Sequence, residues 1–254
     1  MVSGAVLMIA FVRAKEKFSL RFHWHVFKQA LSYGAKGYFA NLIQFLNYRV
    51  DMLLISYFVG AAAVGYYSVA VNFAEVLWYV PTSIGTILFP HVSRSSDSAA
   101  NVVTARISRQ TLILMAVASA GVAVVAPRII PAVFGPEFRP SILALLYLLP
   151  GVLVFSLAKI LGNDFSGRGW VVTNGIVSAI ALAINVSLNL SLIPQYGING
   201  AALASTISYS VATLVLLALF AKYTKVSWLD LLIPKQGDLA QMLRTLKRSP
   251  AKSS

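Results

Sequence analysis

Cysteine is absent from the sequence, which excludes disulfides and thiolate metal sites. Charge is scarce as well. Charged residues make up 11% of the chain, where a soluble domain carries about 25%. Acidic residues are the scarcest, 8 against 21 lysines and arginines, for a net charge of +13. The sequence has no glycine-rich phosphate loop, no nucleophile elbow and no paired catalytic carboxylates. His23, His25 and His91 lie in or beside loops without metal-ligand spacing. The residues therefore imply no enzyme and no cofactor. Strand-length alternation with regular turns is also missing, which argues against a β-barrel.

Apolar sequence is what remains. Hydrophobic residues account for 58% of the chain, more than a soluble fold of 254 residues could bury. The fold class is all-α integral membrane. Six apolar segments, near 37–59, 64–90, 110–134, 141–163, 170–193 and 199–221, each approach the roughly 20 residues a helix needs to cross a bilayer. They are expected to form a six-helix transmembrane bundle over residues 37–221. Pro81 and Pro150-Gly151 should kink or break the second and fourth spans. Gly200, Ala204 and Ser208 form a row of small residues suited to close helix contact.

The excess of positive charge sorts by loop. Arg13, Lys15, Lys17, Arg21, Lys28 and Lys36 precede the first span; Arg94, Arg106 and Arg109 follow the second. Lys159 and Arg168 lie near the fourth connection, and seven lysines and arginines lie in the tail from Lys222. The alternate connections carry few: none in "GAAAVG", none in "PQYGING" and only Arg128 and Arg139 in the third. By the positive-inside rule both flanks of the bundle face the cytoplasm. The same distribution, with no aromatic–basic stacking motif, argues against a nucleic-acid partner. Residues 1–12 are apolar for too short a stretch to span, and they read as the remnant of a preceding transmembrane helix. Residues 13–36 read as a basic cytoplasmic linker. Residues 222–254 read as a basic tail with an interfacial stretch at "VSWLDLLI" and a disordered end.

Ions at bilayer depth are costly and usually functional, which singles out "FLNYRVDMLLISYFVG". On a helix, Asn41, Gln44, Asn47, Tyr48 and Asp51 share a sector of about 120°. Arg49 lies about 160° from Asp51, so the two cannot pair along the helix. A second row, Ser68, Asn72, Glu75 and Tyr79, supplies the nearest countercharge, and Arg49 or Asp51 is expected to share a polar network with Glu75. A third row, Asn174, Ser178, Asn185 and Asn189, falls within about 60°. Interhelical hydrogen bonding explains that row as readily as ligand binding does. Lys159 either snorkels outward or binds a ligand.

These motifs also resemble a known family. "YRVDMLLISYFVGAAAVGYYSVAVNFAEVLWYVPTSIGTILFPHVSR", then "VFGPEF" and "NLSLIPQYGINGAALASTISY", are similar, in the same order, to the C-terminal half of polysaccharide flippases. Their superfamily also holds multidrug extruders and the lipid II flippase. The resemblance implies one half of a two-bundle transporter. Such a transporter moves a polyprenyl-diphosphate-linked oligosaccharide across a bacterial cytoplasmic membrane by alternating access. It further implies a missing N-terminal bundle, or a second copy, as partner alongside membrane lipids. Asn47, Arg49, Asp51, Asn72, Glu75, Lys159, Asn185 and Asn189 are its candidate cavity residues. Arg49, with Lys159, would attract the diphosphate. Asp51 and Glu75 would position Arg49 or bind a coupling proton or sodium ion. A multidrug antiporter of the same superfamily and a non-transporting scaffold of polysaccharide synthesis are the alternatives.

Overall fold

The computed structural model describes residues 24–233. The chain divides into two units, residues 1–39 and 40–254; the site described below lies in the second. Every element among the described residues is helical: α1 (Trp24–Phe58), α2 (Ala61–Val76), α3 (Tyr79–Arg94), α4 (Asp97–Phe134), a 3-10 turn at Pro136–Phe138, α5 (Pro140–Gly167), α6 (Val171–Thr224) and α7 (Trp228–Leu232). The last thirteen residues of the expected linker, 24–36, are thus helical, since no proline interrupts them. The expectations for residues 1–23 and 234–254 lie outside the described residues.

Each expected span falls on helix, although α4, α5 and α6 alone among the described residues are long and apolar enough to cross a membrane by length and composition. The second span is interrupted, giving α2 and α3. Pro81 has no N–H, and its ring crowds the carbonyl of Leu77. The interruption falls there: Leu77 and Trp78 donate to Ala74 O and Glu75 O, three residues back, at 3.2 and 2.9 Å. The kink expected at Pro150 produces no break, and α5 is continuous. Neighbouring threonine hydroxyls can satisfy backbone that a proline disturbs. Here Thr206 Oγ1 donates to the Tyr147 carbonyl at 2.6 Å. Gly151 permits this approach, because a Cβ there would stand 2.6 Å from Thr206 Cα.

The 54 residues of α6 would extend about 80 Å if straight, far beyond a hydrocarbon core of about 30 Å. They fold back on themselves. Gly197 adopts φ 57°, ψ −135°, a conformation that essentially only glycine tolerates. Asn185 and Ser205, twenty residues apart, are hydrogen-bonded at 3.3 Å across the resulting hairpin. A Cβ on Gly200 would lie 2.3 Å from the Leu192 carbonyl, so the small-residue row, with Ala204 and Ser208 both fully buried, lets the two arms meet.

The helix at the centre of the packing is α5. In its most apolar stretch 61% is buried, against 22% in α4 and 28% in α6. Large apolar side chains face outward instead: Val117, Val124 and Val133 on α4, and Val172 and Leu214 on the two arms of α6. Water would penalise that surface, whereas lipid matches it. The protein is a helical membrane protein.

One end of α5 is tied down by charge. Arg168 donates to Asp164 from Nε at 2.7 Å, to Asn101 Oδ1 at 2.7 Å and to Asp97 at 3.1 Å. Thr104 Oγ1 also donates to Asp164, at 2.7 Å. The guanidinium lies over Trp170 and Phe220. This network fastens the start of α4 to the end of α5 and to both arms of α6. Arg109 on α4 donates to the Asp230 carbonyl and so holds α7.

Candidate transport groove

The polar residues of the helices separate into three groups. The first is the pair Arg49–Glu75, joined at 3.2 Å with side chains 37% and 26% exposed. The expected link between α1 and α2 therefore runs through Arg49. Asp51 does not take part in it.

Asp51 belongs to a second group. It is 3% exposed and accepts from Tyr67 Oη at 2.6 Å, from the Met52 N–H at 2.8 Å and from Ser205 Oγ at 3.4 Å. Asn185 donates to Ser205, and Asn189 donates to Asn185 Oδ1 at 2.8 Å. The result is a chain of hydrogen bonds, buried throughout, that runs from α2 through α1 to both arms of α6. The cavity beside Asp51 and Tyr67 has about 10 Å³, room for at most one water.

The third group lines a groove of about 560 Å³, within the size range of small-ligand sites. Its walls come from α1 (Asn47, Tyr48), α3 (Thr82), α5 (Phe155, Lys159, Asn163, Ser166) and both arms of α6 (Asn174, Ser178, Ala212). Lys159 is its single charged side chain among the described residues. The Lys159 ammonium does not snorkel to a helix end. It lies 4.7 Å from the centre of the Trp78 ring and within 6 Å of the Tyr48 and Phe155 rings, and it donates to Tyr48 Oη at 3.4 Å. Ring faces partly replace the hydration that a cation loses at this depth.

Tyr48, Trp78, Phe155 and Tyr209 form a continuous aromatic cluster, with neighbouring centroids 4.7–6.4 Å apart. Tyr48 and Phe155 line the groove, while Trp78 and Tyr209 line the small cavity beside Asp51. The cluster is the wall between the open and the sealed polar regions. The break before Pro81 sets Trp78 in that wall.

Of the eight candidate residues, Asn47 and Lys159 line the groove. Arg49 and Glu75 pair outside its lining, Asp51, Asn185 and Asn189 lie in the sealed network, and Asn72 is exposed. Sequence reasoning missed Trp78, Tyr67 and Ser205. The signal for Trp78 was its position three residues before an intramembrane proline; Ser205 was hidden beside the small-residue row.

With this geometry in view, the relatives can be placed. The polysaccharide biosynthesis protein family matches residues 1–143. The chain belongs to that family. Two curated relatives are similar over most of this chain. The probable low-salt glycan biosynthesis flippase Agl15 of Haloferax volcanii is 25% identical over 190 residues, 70% of this chain. An uncharacterized membrane protein of Methanocaldococcus jannaschii is 28% identical over 206 residues, 78% of this chain. The chain spans about 40% of the length of each. Among solved structures, the lipid II flippase MurJ in an inward closed conformation superposes with a TM-score of 0.70 at 18% identity, covering 99% of this chain and 55% of that one. An outward-facing multidrug resistance MATE family transporter of the MOP superfamily gives 0.60 at 17% identity, covering 81% and 48%. At these identities the structural likeness establishes the fold alone, one shared with both transporters.

Proposed function

We propose that this chain is part of a flippase that carries a polyprenyl-diphosphate-linked oligosaccharide across the cytoplasmic membrane by alternating access. A second six-helix bundle, from the same polypeptide or another copy, completes the passage. The observation that carries the reading is the groove: a recess of mixed polarity among the helices with one cation and several amides and hydroxyls on its walls. A diphosphate and a hydrated sugar cannot enter hydrocarbon unless other groups replace their water. Lys159 supplies charge-assisted hydrogen bonds to the diphosphate, and the prenyl tail stays in lipid.

This assignment moves the anion-binding role from Arg49 to Lys159, because Arg49 is already paired with Glu75 outside the groove lining. Asp51, a buried carboxylate that is not ion-paired with Arg49, is the group we assign to the coupling proton or sodium ion. Export of organic cations, the competing reading, calls for a carboxylate in the groove, and no acidic side chain is among the described residues that line it. Lys159→Gln in the full-length protein should reduce glycan export at least tenfold, the scale of one lost charge-assisted contact, while membrane abundance stays unchanged. Lys159→Arg should retain part of the export. Undiminished export by Lys159→Gln refutes the assignment.

A further inference from the structure

We infer that Trp78 is a positioning residue for ligand capture: its indole face seats the Lys159 ammonium at the groove wall, and the ring itself does not touch the ligand. The inference rests on the reading that Lys159 takes the diphosphate of a lipid-linked glycan, and it names what holds that cation in place.

The indole is fixed from two sides. Pro81 cannot donate to the Leu77 carbonyl, and the chain turns at Leu77 and Trp78, whose N–H groups reach back three residues. Trp78 is 6% exposed at that turn. Its ring N–H donates to the Val152 carbonyl of α5 at 3.4 Å, which satisfies the polar edge of the ring. Val152, Phe155 and Lys159 recur at helical spacing on one face of α5. The indole therefore lies along that face, with its edge at Val152 and its π-surface toward Lys159.

Rings hold the ammonium, and no counterion does. Its nitrogen lies 4.7 Å from the centre of the Trp78 ring, against 5.6 Å for Tyr48 and 5.7 Å for Phe155. Trp78 is thus both the nearest ring and the type that attracts a cation best. No carboxylate among the described residues reaches Lys159 within ion-pair distance, and Glu75 is paired with Arg49. A carboxylate partner would neutralise the cation, whereas a ring face offsets lost hydration and leaves the charge in place. The lysine stem is flexible, and ordering it before the ligand arrives removes that cost from binding. Trp78 lines the small cavity beside Asp51 and not the groove, so its effect on a ligand passes through Lys159.

The test uses the full-length protein in lipid nanodiscs with farnesyl diphosphate as the probe. Trp78→Leu should weaken the probe about tenfold, the scale of one cation–ring contact away from water. Trp78→Phe, which keeps a ring face, should recover part of that loss. In the Lys159→Gln background, Trp78→Leu should change the affinity by less than about twofold, because the group it positions is gone. A purely structural defect would weaken both backgrounds alike. Mono- to tetrafluorinated tryptophan at position 78 keeps the shape and drains the ring face of negative charge, so the affinity should fall stepwise with added fluorine. This arm does not depend on the stability of Trp78→Leu. The role is overturned if the fluorinated series binds like the unaltered protein or more tightly, or if Trp78→Leu acts equally in both backgrounds. If the unaltered protein does not bind the probe, or Lys159→Gln leaves binding unchanged, the reading of Lys159 fails and the positioning role with it.

Discussion

Two polar regions lie a ring's thickness apart in this protein, and they have opposite character. On one side of the aromatic cluster Lys159, Asn47, Asn163 and Asn174 line a groove of about 560 Å³. On the other, Asp51, Tyr67, Ser205, Asn185 and Asn189 bond to one another with about 10 Å³ of free space beside them. Both regions use residues that lipid rejects. The difference is space: the buried network closes on itself with room for at most one water, while the groove sets an ammonium beside open volume. Intramembrane polarity by itself therefore does not mark a passage. Polarity beside open volume does.

The largest effect should come from breaking the sealed side. Asp51→Leu strands the Tyr67 hydroxyl, the Met52 N–H and Ser205, and should lower stability by about 3–5 kcal/mol, as loss of one member of a buried charged network does. Unfolding in detergent measures it, and a loss below about 1 kcal/mol would mean that the network contributes little. Gly197→Ala comes next. It strains the hairpin that brings Asn185 to Ser205, and should cost about 1–3 kcal/mol, read as a lower unfolding midpoint with the same cooperativity. Arg49–Glu75 is the intermediate case, a partly exposed pair whose Glu75 borders the small cavity beside Asp51. A double-mutant cycle with Arg49→Gln and Glu75→Gln should give a coupling of about 1 kcal/mol or less, and a larger value would make the pair a structural lock.

Much of this was legible in the chain. Apolar length marked α4, α5 and α6, the described helices long and apolar enough to cross a membrane, because a bilayer imposes a minimum length. Helical phase excluded an Arg49–Asp51 pair, because phase depends only on spacing along one helix, and left Glu75 as a partner for either of them. Phase does not say which helix lies opposite. Asn185 and Asn189 share a row with Asn174, yet Asn174 lines the groove while Asn185 donates to Ser205 and Asn189 to Asn185. Lys159 could not be assigned from sequence for the same reason: its aromatic surroundings come from α1, the junction of α2 and α3, and α5 together. Pro81 and Pro150 show a further limit. One interrupts its helix and the other does not, because Thr206, on a distant part of the chain, attends the backbone near Pro150.

The account stands on the groove being wet and the network dry. Because the chain contains no cysteine, single cysteines can report on this directly in the membrane-embedded protein. Ser178→Cys, in the groove lining, should react readily with a small water-borne maleimide. Ser205→Cys, 1% exposed beside Asp51, should stay protected until the protein is unfolded. Equal labelling of the two, fast or slow, would contradict the distinction on which the proposed passage depends.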